Sequence, residues 1–491
     1  MIPLPDPAPS ADLRTARKVA ANSAWQVVSF ACRAVAGLGV VVALARAGGP
    51  TGLGTFQFAL TITALLPYYW GLPSLLSREV ARRPMQARSW IESGMLSTFI
   101  LGAVITALLS AGSRVFGVSA ETVSVIELAS LGMIFDGVAR IHFAAFVAWE
   151  RMRLETIATA VQEGAFLATA VVAIAAGGGP LEAMIVFVIS RALGAVIGWG
   201  ISSWRIGSVL VPRSHGTFAR RTAREASPFA ISDILKLVQL RADAVMLGIM
   251  KGPAAVGLYQ ACTNLVLYWN VLARALNHGV YPRMSRAWPD RATQFGRLRD
   301  ASCRALAVIG MPVAVGGLLL APEILRAFYG PAFDEAVLAF RLLVLVVPLR
   351  MMTNTLSISL AACDRQRSRM FAVGGAAIGN VALNLALIPR WSYVGSAVAT
   401  LVSETALLAS YGLLLRRVAG PSQIGRAVRL PIVACAPFAA AVLASAGAPL
   451  AVALVAGVGA YGGALVLAAI VGAGRQGHSL SAALIGLVRP T

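Results

Sequence analysis

Charge is scarce in this chain: Asp, Glu, Lys and Arg make up 13% of its 491 residues, against 58% hydrophobic residues. A soluble domain carries roughly 25% charge, so a mean hydropathy of +0.75 excludes a globular water-soluble protein. Acids are scarcest, 21 against 42 Lys and Arg, for a net charge of +21. In a soluble chain that balance would point to nucleic acid; here the placement of the bases points to a membrane, and no nucleic-acid partner is expected. The five cysteines contain no C-x-x-C pair and the four histidines are scattered, which argues against a disulfide framework or a metal site. The chain lacks a Walker A sequence, so ATP is not expected to drive it directly, and no cofactor is implied. The polar, Pro-rich segment 1–21 runs into a full-length apolar stretch, unlike the short core of a cleaved signal.

What fills the chain is fourteen apolar runs, at 23–45, 53–76, 90–112, 122–148, 155–177, 181–203, 228–250, 254–280, 303–327, 335–362, 370–388, 393–415, 431–447 and 450–472. Most reach the length at which a helix crosses a ~30 Å hydrocarbon core. Cytoplasmic loops collect Lys and Arg. With the N-terminus inside, 29 bases fall in inner segments and five outside (Arg46, Arg114, Lys251, Arg326, Arg390), alternating at every loop. The expectation is a multi-pass, all-α integral membrane protein with both termini cytoplasmic.

The chain also repeats. Gly49-Pro50, Gly54, Phe56 and Gln57 recur 203 positions later as Gly252-Pro253, Gly257, Tyr259 and Gln260. A Gly-Pro turn between antiparallel spans accounts for the pattern. The same offset sets Arg33 on Lys236. At an offset of 214, Ala148–Arg153 falls on Ala362–Arg367, Asp136 on Arg350 and Arg140 on Asn354; at 213, Arg191 falls on Glu404. Parallel repeats of this kind are common among secondary transporters. The organisation expected is a tail (1–21), a six-helix bundle (22–204), a basic linker (205–227), a second six-helix bundle (228–415), a loop (416–430), two extra helices (431–472) and a tail (473–491).

Several motifs, in order, carry a family likeness. They are Asn22 and Trp25; Leu44-Ala45-Arg46-Ala47-Gly48-Gly49-Pro50 with Gly54 and Phe56; Ser77-Arg78-Glu79-Val80-Ala81-Arg82; Arg241-Ala242-Asp243; Gly257-Leu258-Tyr259; Asn380, Asn384-Leu385 and Leu387-Ile388-Pro389; and Val394-Gly395-Ser396-Ala397-Val398-Ala399 through Ser403-Glu404. Over about residues 20–415 the chain resembles the polysaccharide-transporter (Wzx-type) flippases of the multidrug/oligosaccharidyl-lipid/polysaccharide superfamily. Gly48 and Ser396 depart from that pattern, which often has Leu and Ala there. The resemblance implies about fourteen transmembrane helices, as two pseudosymmetric six-helix bundles around a central cavity plus two C-terminal helices. It also implies a bacterial plasma-membrane location and export of a polyprenyl-pyrophosphate-linked oligosaccharide, alongside membrane lipid, an H+ or Na+ coupling ion and glycan polymerase and export machinery as partners.

Eight bases lie inside the spans: Arg33, Arg140, Arg191, Lys236, Arg241, Arg274, Arg341 and Arg350. Charge at the bilayer centre costs ~2.5–3.5 kcal/mol on insertion scales, so such residues face a cavity or a partner. Arg33 and Lys236, on the first helix of each repeat, are the foremost candidates for holding the substrate pyrophosphate; a structural ion pair is the alternative for each, with Asp233 near Lys236. Arg350 has no acid one turn away and, with Arg274, is expected to need a partner or a ligand. Asp136 and Arg140, four apart, read as an internal pair. Arg191 and Glu404 read as a latch across the halves, broken and remade between inward- and outward-open states. Glu127 and Glu163 read as lone membrane carboxylates and are candidates for proton coupling. Gly194-x-x-x-Gly198 and Gly375-x-x-x-Gly379 predict close helix packing. A lipid II flippase and a multidrug cation antiporter remain as alternatives; a membrane enzyme is disfavoured, because the outer loops are short and carry no catalytic cluster.

Overall fold

The structure, a computed structural model, describes residues 9–64, 71–115, 119–206, 241–420, 424–445 and 447–476, and among them helix is the only regular secondary structure. Nine of the described helices are long and apolar enough to cross a membrane, and this is a multi-pass membrane protein. Two of the nine are bent pairs. Helix α1 (Pro9–Ala64) breaks at Gly49, and a second long helix (Gln366–Ala419, α14 below) breaks at Ser392. Helix α1 starts well inside the expected tail 1–21. Between Pro9 and Gly37 no Pro or Gly interrupts a run rich in Ala, the strongest helix former.

The chain divides into two compact units, Met1–Val245 and Met246–Thr491. The first holds α1, α2 (Leu72–Arg82), α3 (Ala87–Val115), α4 (Ala120–Ala148), α5 (Met152–Ala175) and α6 (Pro180–Ile206). Helix α4 packs against α1, α2, α3 and α6, and α1 lies along α5. Helix α4 is the most buried of the nine apolar helices. A short α7, described over 241–251, leads into the second unit. There α8 (Pro253–Leu267), α9 (Asn270–Ala287), α10 (Ala292–Leu319), α11 (Ala321–Tyr329), α12 (Val337–Val344), α13 (Val346–Ala362), α14 (Gln366–Ala419), α15 (Ile424–Ala444) and α16 (Leu450–Gln476) follow. Helix α13 packs against α9, α10 and α14, while α15 bridges α10 and α16.

Four spans expected as single helices are divided, 303–327 at Leu320 and 335–362 at Leu345 among them. The run 254–280 breaks between α8 and α9, and α2 starts afresh after Gly71, whose φ is 66°. The backbone repeats at the offsets seen in the sequence. Gly49 (φ 59°, ψ −163°) and Gly252 (φ 82°, ψ −179°) share a conformation essentially reserved for glycine. Glu150 (φ 55°) and Asp364 (φ 57°) both take the left-handed conformation. The turns around them close alike: Arg151 N donates to Phe146 O at 2.8 Å and Arg365 N to Leu360 O at 2.9 Å. Of the two expected glycine packing stripes, one holds. A Cβ at Gly194 or Gly198 would meet the side chain of Gln162 or His142, whereas one at Gly375 or Gly379 would meet nothing within 4 Å among the described residues.

Candidate functional site

In the first unit a cavity of about 390 Å3 is lined by Arg33 from α1, Pro73, Ser74 and Ser77 from α2, Arg140, Phe143, Ala144 and Val147 from α4, and Glu155 from α5. Arg33 reaches the wall because α1 lies along α5. Its Nη2 donates to Glu155 Oε1 and Thr159 Oγ1, both at 3.1 Å, and Ser29 Oγ donates to the same Glu155 oxygen at 3.3 Å. The Arg33 side chain keeps 36% of its surface exposed, against 13% for Glu155. Arg140 Nε donates to Asp136 Oδ2 at 2.5 Å, one helical turn away on α4, and stays 40% exposed. Among its described residues the wall thus presents two guanidinium groups and one carboxylate.

Behind the wall lies a buried relay. Arg191 on α6 donates from both terminal nitrogens to Glu163 on α5, at 2.8 and 3.0 Å, and its Nη1 is 3.6 Å from Asp136 Oδ1. The guanidinium sits 4.8 Å from the Phe187 ring and 5.6 Å from that of Phe166. Asp136 therefore links the exposed Arg140 to the buried Arg191. Breaking such a buried pair by removing one partner costs ~3–5 kcal/mol.

The second unit repeats this arrangement with altered chemistry. Arg350 on α13 donates from Nε to Glu404 on α14 at 2.7 Å. Its cavity, about 370 Å3, is lined by Arg274, Asn277 and Tyr281 from α9, Asn354, Ser357, Ile358 and Ala361 from α13, and Gln366 and Arg369 from α14. Adding 214 to Arg140, Phe143, Ala144, Val147 and Glu155 gives Asn354, Ser357, Ile358, Ala361 and Arg369. The two cavities are therefore repeat mates.

The candidate residues distribute as follows. Arg33 and Arg140 share one cavity, and Arg274 lines the other. Lys236 and Asp233 lie outside the described residues. Arg191 is held by Glu163 and Glu404 by Arg350, each pair within its own unit, because α6 packs on α5 and α14 on α13. Glu163 is consequently not a lone carboxylate. Nor is Glu127, whose Oε1 accepts from Ser110 Oγ and from Arg114 Nη2 at 3.1 Å. Arg33, Arg140, Arg191 and Arg350 all have carboxylate partners, so the interior is less purely cationic than eight bases suggest. Arg341 Nε donates to Leu318 O at 3.1 Å. Sequence reasoning missed Glu155, whose partner is 122 residues away, and Arg369, which it counted as a loop charge. The 214-residue offset links the two and was the available signal.

The sequence pattern of a family described as "Polysaccharide biosynthesis protein" matches residues 19–288. The probable flippase AglR of Haloferax volcanii is 28% identical over 167 residues, 33% of this chain and 35% of its own. The match thus spans about a third of that relative's length. Among solved structures, lipid II flippase MurJ in an inward closed conformation superposes with a TM-score of 0.72 at 14% identity, covering 89% of this chain and 96% of that one. An inward-facing multidrug resistance MATE family transporter of the MOP superfamily gives 0.65 at 14% identity, covering 80% and 98%. At such identity these likenesses establish a shared fold.

Proposed function

The chain belongs to the polysaccharide biosynthesis protein family, and on that premise we propose that it is a flippase. Its substrate is a polyprenyl-pyrophosphate-linked oligosaccharide, carried from the inner to the outer leaflet of a bacterial plasma membrane by alternating access, for polysaccharide export. The observation that carries this reading is the pair of half-exposed guanidiniums, Arg33 and Arg140, on one cavity wall among apolar helices. Arginine suits the role, because its planar fork binds phosphate oxygens two at a time and its charge does not titrate. Glu155 holds Arg33 extended towards the cavity until a pyrophosphate oxygen competes for the same nitrogen. The relay through Asp136, Arg191 and Glu163 fixes Arg140 from behind.

The polyprenyl tail stays in lipid while the head crosses. Both termini face the cytoplasm, which puts the turns at Glu150 and Asp364 on the inner side, near the cavities. Moving two negative charges outward down a ~100 mV inside-negative potential yields about 4–5 kcal/mol, from ~2.3 kcal/mol per charge. That supplies a direction without ATP; an H+ or Na+ ion would add to it. A multidrug cation antiporter is disfavoured, since organic cations need a net acidic or aromatic wall, and here bases outnumber the acid. A lipid II flippase shares the same head-group chemistry and differs in its glycan.

The experiment is complementation. A host whose own oligosaccharide flippase gene is deleted regains surface polysaccharide with this chain and fails to regain it with the double variant Arg33→Gln, Arg140→Gln at equal membrane abundance. Rescue of peptidoglycan synthesis alone would assign the lipid II reading instead.

A further inference from the structure

The two repeat-mate cavities differ in charge. Arg369 stands at the position of Glu155, and Asn354 at that of Arg140. The first-unit wall carries two bases and one acid. The second-unit wall carries two bases, Arg274 and Arg369, and no acid among its described lining residues. An oxyanion entering the second cavity would meet two like-signed side chains and, among the described lining residues, no carboxylate.

The rest of that wall is rich in neutral hydrogen-bonding groups: Asn277, Asn354, Gln366, Ser357 and Tyr281. The mate cavity has Ser74, Ser77, Phe143, Ala144 and Val147 among its uncharged positions. Amides and hydroxyls both donate and accept, and so match the adjacent hydroxyls of a sugar ring. Two of the groups are already oriented. Thr355 Oγ1 donates to Asn277 Oδ1 at 3.2 Å, which leaves the Asn277 NH2 as donor, and Arg369 Nη1 donates to Ser357 Oγ at 3.4 Å. About 370 Å3 is within the ~300–1,000 Å3 range of small-ligand sites.

We propose that the second-unit cavity is a binding site for an anionic sugar, with Arg274 and Arg369 on the oxyanion and Asn277, Asn354 and Gln366 on the ring hydroxyls. The site deepens the flippase reading and rests on it for its biological ligand. It would grip the glycan at a phosphate or acidic group. Its binding chemistry stands independently of transport.

Calorimetry on the full chain in lipid nanodiscs decides the matter, with glucose 1-phosphate, glucose and inorganic phosphate as probes. Glucose 1-phosphate is expected to bind saturably, more tightly than phosphate, while glucose alone gives no measurable binding. Arg274→Gln and Arg369→Gln each weaken glucose 1-phosphate at least tenfold. Asn354→Ala weakens glucose 1-phosphate but not phosphate, and Arg326→Gln, at an exposed pair with Asp334, changes nothing. Arg274→Lys and Arg369→Lys, which keep the charge, retain part of the affinity and serve if either Gln variant fails to fold. Absence of saturable binding to the unaltered chain, equal affinity for phosphate and glucose 1-phosphate, or affinities within twofold across the arginine variants would each overturn the proposal. Flipping of a lipid-linked glycan, measured on the same preparations, separates the two readings. Flipping without sugar-phosphate binding removes this site and leaves the flippase; binding without flipping does the reverse.

Discussion

Arg350 donates to Glu404 at 2.7 Å and so joins α13 to α14 at the positions where Asp136 and Arg191, 3.6 Å apart, join α4 to α6, with the charges exchanged. Two helices that meet at equivalent depth in each unit need a pair of opposite charges, and either polarity meets the need. In the first unit Glu163 adds a second acid to Arg191, and the additional base Arg140 balances it on Asp136.

If the pair matters as a pair, its polarity should be reversible. Arg350→Glu and Glu404→Arg, made singly, each leave two like charges facing one another and should lower the melting temperature by several degrees, as loss of ~3–5 kcal/mol would. The double exchange should return it to within ~2 °C of the unaltered chain by the same scaling. A double variant no more stable than the singles would show that the helices do not depend on this contact.

Stability and transport should separate between two arginines of the first unit. Glu163→Gln strands Arg191, a side chain only 10% exposed, and should cost ~3–5 kcal/mol in thermal unfolding. Arg33→Gln breaks a half-exposed pair, and such pairs contribute ~0–1 kcal/mol. Thermal scans of the two variants in one detergent check the contrast; equal losses would contradict it.

Gly49→Ala and Gly252→Ala should each cost ~1–3 kcal/mol through backbone strain. Among the described residues no atom lies within 4 Å of a Cβ built at either position, so the cost expected is that of the backbone. The two losses should be similar, because the two turns share one conformation. Wild-type melting temperatures in both variants would contradict the assigned φ.

Single cysteines placed at Arg151 and Arg365 in a cysteine-free background should react with membrane-impermeant maleimide only after the inner side is opened. One at Arg326 should react from outside. Labelling of positions 151 and 326 from the same side would overturn the orientation drawn from the bases.

What the sequence made legible was periodic or repeated. The Asp136–Arg140 pair follows from a four-residue spacing on one helix, and the Glu150 and Asp364 turns follow from a matched hexapeptide in each half. Partners that depend on which helices touch were not legible. Glu155 is 122 residues from Arg33, and Glu163 is 28 from Arg191; only the packing of α1 and α6 on α5 brings them together. Gly194 and Gly375 open the same five-residue motif, yet only the first finds a neighbouring helix among the described residues, because spacing gives a stripe and not its occupant. Arg191 and Glu404, equivalent positions at the 213-residue offset, are held by Glu163 and Arg350. The repeat offset relates equivalent positions, and equivalent positions take partners within their own copies.

The most direct measurement is the rate at which a fluorescent polyprenyl-pyrophosphate oligosaccharide changes leaflet in proteoliposomes, read by dithionite quenching. With charge-assisted bonds to phosphate worth ~1.5–3 kcal/mol each, Arg33→Gln and Arg140→Gln should each slow flipping at least about tenfold, and Arg33→Gln, which breaks only a half-exposed pair, should do so with the melting temperature close to that of the unaltered chain. Flipping at the unaltered rate in both variants would contradict the account.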